Sequence, residues 1–453
     1  MKKPIMSVSG IRGKVGEDLS LELLRAVAFI QTKLSGGKKI VVGRDTRASG
    51  ENIEKALCQG VRAAGGEPVS IGIATTPTTC FATKHLAADG GIIITASHNP
   101  YPYNGYKPVH SSGRLFNAVE SQKLYGEYDK GNFPADAEFE KFSDAPAKIE
   151  TAVIEAHINA ILKNVDVNLI KNAKIKVAVD AINGAASGAF PLLLSALGVE
   201  YEGVNCKLDG DFTHNPEPRP AHLGDLANLL KSKSGFWGGF AFDPDGDRLA
   251  TMGETGEPIC EEMTLALSMM SVLSSKKSDV ATNLSTSMVI DDVAKDFGVS
   301  VVRTKIGEAN VVDAIREKNL LLGGEGNGGV IYPAVSMVRD GLAGLALIIE
   351  CMAKNGKNLT QLTGQYKEYP IVKEKISIDG LNPSEVLAKL TDIFAAEKID
   401  TQDGLKIIYD DGWVHIRSSN TEPIMRVYAE GTTQKRAEEL AKTVMSKIEN
   451  RSA

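Results

Sequence analysis

The feature that most constrains this chain is an alternation of strand-like, loop and helix-like segments that recurs three times. A short apolar run from Lys39 to Val42 precedes Gly43-Arg44-Asp45-Thr46-Arg47, and a 3.6-residue pattern follows from Asn52 to Ala64. Val69 to Ile73 and Gly91 to Ile94 read as further strands, with Thr76-Pro77 as N-cap and first-turn proline of the helix between them. A second round uses Ile175 to Val179, a helix from Ala185 to Leu197, and Phe240 to Phe242. A third uses Val280 to Leu284, a helix from Met288 to Phe297, and Val299 to Val302. Parallel neighbours need a crossover, so the alternation predicts three similar α/β modules, although no letter-level repeat accompanies it. After Tyr369 the order changes. Ile371 to Ile378 is strand-like, Pro383 to Glu397 helical, Leu405 to Tyr428 hairpin-like with a turn at Asp410-Asp411-Gly412, and Gln434 to Ile448 helical.

At 453 residues the chain is too long for one ordinary core. The expected division is 1–150, 151–253 and 254–368 for the three α/β domains and 369–453 for a smaller α+β domain. With 43% hydrophobic and 24% charged residues, the composition is that of a soluble globular protein. A formal net charge of -6 argues against a general nucleic-acid binder, while leaving room for a local basic cleft that holds a small anion. The five cysteines are scattered without a Cys-x-x-Cys pair and read as small buried residues. Met1-Lys2-Lys3 is followed by Pro4, Gly10 and Gly13, so no apolar leader develops and the expected compartment is the reducing cytoplasm. The most apolar run, Leu342 to Met352, falls short of a membrane span and reads as a buried helix.

Four stretches hold chemistry. Gly91 to Pro100 runs from a strand into Thr95-Ala96-Ser97-His98-Asn99-Pro100, which places Ser97 at a strand's carboxyl end, where α/β sheets bind ligands. Read alone, Ser97-His98-Asn99-Pro100 is equally a plain turn, and the Gly-x-Ser-x-Gly elbow of a serine hydrolase is absent. Asp243-Pro244-Asp245-Gly246-Asp247-Arg248 brings three carboxylates into one tight loop, where a hard cation such as magnesium would relieve their repulsion; a solvated acidic turn is the bland alternative. The same loop is not a calcium hand, because Arg248 stands at the obligatory glycine and a strand precedes it. Gly324-x-Gly326-x-x-Gly329 matches a dinucleotide fingerprint, yet apolar Val330-Ile331-Tyr332-Pro333 follows in place of a helix. In that glycine-rich loop, Glu325 and Asn327 can bond sugar hydroxyls, or the loop is simply flexible. Arg417-Ser418-Ser419-Asn420-Thr421 with Arg426 supplies two guanidinium groups, hydroxyls and an amide, an inventory suited to a phosphate dianion.

In this order the four stretches resemble the α-D-phosphohexomutase superfamily. Gly10-Ile11-Arg12-Gly13, Gly43-Arg44-Asp45-Thr46-Arg47 and Arg303-Thr304-Lys305-x-Gly307 extend the likeness over essentially the whole chain. The resemblance implies four domains around a central cleft, the last more mobile. It implies an isomerase that shifts a phosphate between the 6- and 1-positions of a hexose through phosphorylated Ser97 and a bound 1,6-bisphosphate. Magnesium would be held by Asp243, Asp245, Asp247 and the phosphoserine. Arg12, His98 and Lys107 would surround the phosphoserine, with Lys107 a candidate for proton transfer, and Arg248 would be a further catalytic residue. Lys305, Gly307, Glu325 and Asn327 would hold the sugar, and Arg417, Ser419, Asn420, Thr421 and Arg426 the non-reacting phosphate. A hexose 1,6-bisphosphate or a kinase would prime Ser97. The partners implied are a small hexose phosphate, no nucleic acid and no membrane, with the chain a monomer or homodimer.

Departures bear on the substrate. Asn327 stands where many relatives carry Ser, Gly329 where phosphomannomutase/phosphoglucomutase enzymes often carry His, and Glu308 where some members carry His or Asp. This form is more similar to phosphoglucosamine mutases and archaeal-type mutases, which implies glucosamine 6-phosphate, with mannose or glucose phosphates as the alternative. A rival reading phosphorylates Asp243 in a dehalogenase-type site but leaves Ser97 unexplained. A non-catalytic sugar-phosphate-binding protein would not need Ser97 and all three aspartates.

Overall fold

The computed structural model describes residues 4–143, 148–378, 382–418 and 424–449. Three of its sheets share one strand order. In the first, Tyr103–His110, Gly90–Ile94, Lys39–Arg44 and Glu67–Ile73 lie side by side; in the second, Leu249–Met252, Gly239–Phe242, Lys176–Asp180 and Glu200–Val204. In the third the order is Gly329–Ile331, Leu322–Glu325, Val280–Asn283 and Val301–Thr304. In each case three strands run parallel and the fourth returns antiparallel at the edge of this set. The first sheet is extended to seven strands by Ile5–Ser7 and Gly10–Lys14 on one side and Lys148–Ile149 on the other. The modules expected from the alternation are therefore present, with an antiparallel return strand in each that the alternation does not reveal.

Local chemistry shifts several element ends. The helix cap is Thr75, one residue before the expected Thr76: its hydroxyl accepts from the Thr78 N–H at 3.2 Å, placing Pro77 inside the first turn. The expected helix from Ala185 to Leu197 divides into a 3-10 turn, Ala185–Gly188, and a helix, Phe190–Leu197. Pro191 lacks the N–H that a continuous helix would use, so the helix restarts with it in the first turn. The helix from Pro383 ends at Ile393, short of Glu397, and the chain turns into the strand Lys398–Asp400. In the last hairpin Tyr409 pairs with Gly412, so the turn is Asp410-Asp411 and Gly412 is already strand. Cys260 lies at the surface and Cys206 is half-buried, whereas the other three cysteines are buried as expected.

One continuous apolar core spans the second and third modules. At its centre the helix Met263–Leu273, buried along its whole length, crosses the helix Gly341–Asn355, buried from Gly341 to Met352. The second-module and third-module loops are thus held in one packed body. The first module and the C-terminal domain have cores of their own. The C-terminal domain is a five-stranded antiparallel sheet covered by the helix Gln434–Glu449. Hydrogen bonds tie it to the third module: Met288 N–H donates to Glu430 Oε2 at 2.8 Å, Ile306 N–H to Asp403 Oδ2 at 2.8 Å, and Ser285 Oγ lies 2.7 Å from His415 Nδ1. Among the described residues no helix is long and apolar enough to cross a membrane.

Candidate active site

In all three modules the connection between the third parallel strand and its antiparallel return carries the candidate chemistry. These connections are the Ser97 loop, the Asp243–Arg248 loop and the Glu325–Gly329 loop. Ser97 is buried and sits in the left-handed region at φ 53°, an uncommon conformation for a residue with a Cβ. Two interactions hold it there. Its own N–H donates to Thr95 Oγ1 at 2.9 Å, and buried Arg47, paired with Asp45, donates to the Ser97 carbonyl at 2.8 Å and to the Asn99 carbonyl. The Ser97 hydroxyl faces Asp243 Oδ2 at 3.5 Å and His98 Nδ1 at 3.4 Å. Burial, together with Arg248 and Arg12, pushes the His98 imidazole down to about 3, so it is neutral.

The acidic loop reaches Ser97 because its backbone is held from two sides. Thr76 N–H donates to the Asp245 carbonyl at 2.8 Å, and Gly341 N–H donates to the Gly246 carbonyl at 3.1 Å. Gly246 adopts φ 66°, and a Cβ there would lie 2.7 Å from Thr75 Cγ2, so glycine is needed on both counts. All three carboxylates are fully buried, with one oxygen of each within 4.8 Å of the others. Burial raises all three. For Asp245 the contacts from Lys107 Nζ at 2.6 Å and Thr76 Oγ1 at 2.7 Å outweigh it, and for Asp247 the charge of Arg339 does, so both lie below the ordinary carboxylate range. Asp243 is pushed well up by burial and by its two charged neighbours. The donor set fits a hard cation. It is all oxygen, and Asp245 Oδ1 and Asp247 Oδ1 are buried without a hydrogen-bond partner. Burial lowers the Lys107 ammonium, but the charges of Asp245 and Asp247 more than offset this and raise it above its ordinary value.

A cavity of about 600 Å³ opens between the four sheets. Arg12, Lys107, Arg248, Arg339, Arg417 and Arg426 line it, giving a basic cleft in a chain of net negative charge. Glu325 and Asn327 border the same space. Glu325 is oriented by Asn283 Nδ2 at 3.0 Å on one oxygen and by Arg339 at 3.0 Å on the other, while Asn327 Oδ1 is buried and unpartnered. Gly307 faces the cavity and its N–H lies 3.3 Å from Glu325 Oε1, but Lys305 is exposed and outside the cavity lining. Arg417 and Arg426 are directly opposite each other on paired strands, and two like charges in that position repel unless an anion lies between them. Ser419, Asn420 and Thr421 lie outside the described residues.

Residues without a sequence motif complete the site. Arg339 and Thr76 contribute through contacts between distant segments, and nothing local marks them as functional; Glu308, noted in the sequence as a departure from relatives, joins them through Arg339. Arg47 lies within a recognised stretch, although its role is visible only from its contacts with the Ser97 loop.

Four family models match the chain in succession: phosphoglucomutase/phosphomannomutase alpha/beta/alpha domain I over residues 3–135, domain II over 155–256, domain III over 261–369 and the C-terminal domain over 372–447. That succession, with a cleft where the modules meet, is the architecture of the four-domain phosphohexomutases. The chain is 38% identical to a phosphoglucomutase/phosphomannomutase of Thermococcus kodakarensis, over 95% of each chain. It is 37% identical to a probable phosphoglucosamine mutase of Methanopyrus kandleri, again over 95% of each. A phosphoglucosamine/phosphogalactosamine mutase of Sulfurisphaera tokodaii is 32% identical over 99% of each. Among solved structures, a phosphoglucomutase/phosphomannomutase family protein from Burkholderia thailandensis superposes with a TM-score of 0.84 at 28% identity, covering 98% of each chain. The protein belongs to the phosphoglucomutase/phosphomannomutase family of the α-D-phosphohexomutase superfamily, and is an isomerase of that type.

Proposed function

We propose that this enzyme interconverts glucosamine 6-phosphate and glucosamine 1-phosphate in the cytoplasm, carrying the migrating phosphate on Ser97. The observation that supports the reading most directly is the Ser97 hydroxyl, buried 3.5 Å from Asp243 beside a cleft that also contains an opposed arginine pair. Residues 1–150, 151–253, 254–368 and 369–453 would supply, in turn, the phosphate carrier, the metal loop, the sugar loop and the phosphate anchor.

Phosphoryl transfer needs alignment and charge neutralisation more than covalent help. Magnesium held by Asp243, Asp245, Asp247 and a phosphoserine oxygen would neutralise the migrating group. Lys107 and Arg12 add positive charge on the first-module side, and Arg248 adds it from the second. Glu325 and Asn327 would hold sugar hydroxyls, with Gly307 and Lys305 contributing from the adjoining segment. Arg417 and Arg426, with Ser419, Asn420 and Thr421, would anchor the other phosphate. A free sugar hydroxyl attacks the phosphoserine and gives up its proton, the bond from phosphorus to Ser97 Oγ breaks, Ser97 Oγ takes up a proton in balance, and a 1,6-bisphosphate remains bound. After this intermediate reorients, its second phosphate passes to Ser97 and the isomeric monophosphate leaves. A hexose 1,6-bisphosphate or a kinase would provide the first phosphate.

The glucosamine preference draws on relatives named phosphoglucosamine mutase and on Asn327 with Gly329 in the sugar loop. The 38%-identical relative named phosphoglucomutase/phosphomannomutase supports glucose or mannose phosphates as the second reading. Turnover of glucosamine, glucose and mannose phosphates, with catalytic glucose 1,6-bisphosphate, decides between them. Mapping of phosphate by mass spectrometry tests the carrier: phosphate on Asp243 with none on Ser97 defeats the mechanism.

A further inference from the structure

Arg339 has no place in the motifs, yet its side chain bridges two of the three module loops. It lies just before the helix Gly341–Asn355, where Asp340 N–H donates to the Val330 carbonyl at 2.7 Å and fixes the backbone beside the sugar loop's return strand. Its guanidinium donates to Asp247 Oδ2 at 2.7 Å and to Glu325 Oε2 at 3.0 Å, while Nε lies 3.2 Å from Glu308 Oε2. The Arg339 N–H also donates to Glu308 Oε1 at 2.8 Å. The oxygens of Asp247 therefore have separate surroundings: Oδ2 receives Arg339 and, at 3.5 Å, Lys107, whereas Oδ1 is buried without a hydrogen bond, 3.9 Å from Arg248 Nε. The stem of Arg339 fills the space beside Gly329 so closely that a Cβ there would lie 2.2 Å from Arg339 Cδ. A side chain at 329 and this placement of Arg339 exclude each other.

We propose that Arg339 is a positioning residue that couples the metal loop to the sugar loop, so that cation binding and hexose-phosphate binding each strengthen the other through it. The inference rests on the metal and sugar assignments proposed above. A planar fork can hold carboxylates on two loops at fixed angles, which a lysine ammonium cannot. Simple counter-charge makes the opposite forecast for the metal: removing a cation beside a cation site tightens metal binding. Positioning predicts weakening, because Asp247 is no longer aimed.

Calorimetry on the full-length, dephosphorylated protein separates these cases. Magnesium affinity is measured alone, and affinity for whichever of glucosamine, glucose or mannose 6-phosphate binds the wild type most tightly is measured with and without magnesium. Wild type should show tighter sugar-phosphate binding with the metal present. Arg339→Lys should weaken magnesium binding about 10- to 100-fold, the range for loss of a residue that orients a metal ligand, and should bring the two sugar-phosphate affinities together. Gly329→Ala provides a second route, displacing Arg339 without changing any charge, and should act in the same direction. Unchanged magnesium affinity and coupling in both variants would overturn the inference alone, as would tighter magnesium binding in Arg339→Met. A wild type that binds neither magnesium nor any of the three sugars overturns the functional reading and this inference together.

Discussion

Replacing Lys406 by Met should remove a pH dependence from the stability of the C-terminal domain. Lys406 is buried between that domain and the third module, its ammonium donating to the Leu284 carbonyl and lying 4.4 Å from the centre of the Trp413 ring. Burial, with Arg303 nearby, pushes Lys406 down to about 7 from an ordinary 10.5, despite the opposing charges of Glu430, Asp291 and Asp400. His415, on the paired strand, is also pushed down by burial. Between the folded and unfolded values the unfolded chain binds more protons at Lys406, so its contribution makes stability rise with pH. From pH 7, where folded Lys406 is half protonated, to pH 9, at about 1.36 kcal/mol per unit, the rise is about 2.3 kcal/mol. Methionine keeps the length of the stem and removes the charge, so the variant should lack this rise and be favoured relative to wild type at low pH. Urea unfolding followed by Trp413 fluorescence, in a Trp237→Phe background that leaves Trp413 as the single tryptophan, reads the local transition. Parallel stability profiles for the two proteins from pH 6 to pH 9 would refute the buried-ammonium account.

Other perturbations should separate structural from chemical roles. Ser97→Ala should lose nearly all turnover yet retain hexose-phosphate binding by calorimetry, and full activity would defeat the covalent route. Arg426→Met should weaken substrate binding but stabilise the substrate-free protein by about 0.2 to 1 kcal/mol through removal of the opposed charge, measurable as higher urea resistance without phosphate. Arg47→Met strips the Ser97 loop of its buried donor and strands Asp45, at about 3 to 5 kcal/mol; unchanged unfolding would contradict its clamping role. Magnesium at 100 times its dissociation constant should add about 2.7 kcal/mol of stability, and Asp245→Asn should reduce that gain.

The parts legible in the sequence share one property: their signal is local. Val41, Val42 and their neighbours form a continuous apolar run because that strand is buried by helices, and the acidic loop announces itself by three aspartates at alternate positions. The return strands were hidden for a local reason too. Tyr103–His110 contains Asn104, Gly105 and Pro108, and its buried lysine faces carboxylates from another module, so neither alternation nor an apolar run appears. Arg339 and Thr76 carry no local signal because their partners are far away in the chain. Lys305 shows the converse, since its place in a recognised motif did not put it on the cavity wall.

The shared strand order explains why three similar modules carry no common letters. A strand needs only apolar residues that fit its layer, and many combinations satisfy that requirement. The connection from third strand to return strand lies at the same end of each sheet, so packing brings all three connections to one cleft. Each presents different groups: a hydroxyl held at a left-handed position, three buried carboxylates, or a carboxylate and an amide. Their letters therefore have to differ where their positions coincide. The glycines follow the same logic. Gly246 permits a close approach to Thr75, whereas Gly328, at φ 86°, lets the sugar loop lie against the Leu249 carbonyl where a Cβ would be 2.4 Å away. Topology repeats because it positions the loops, and the sequence diverges where the loops present different groups to the cleft.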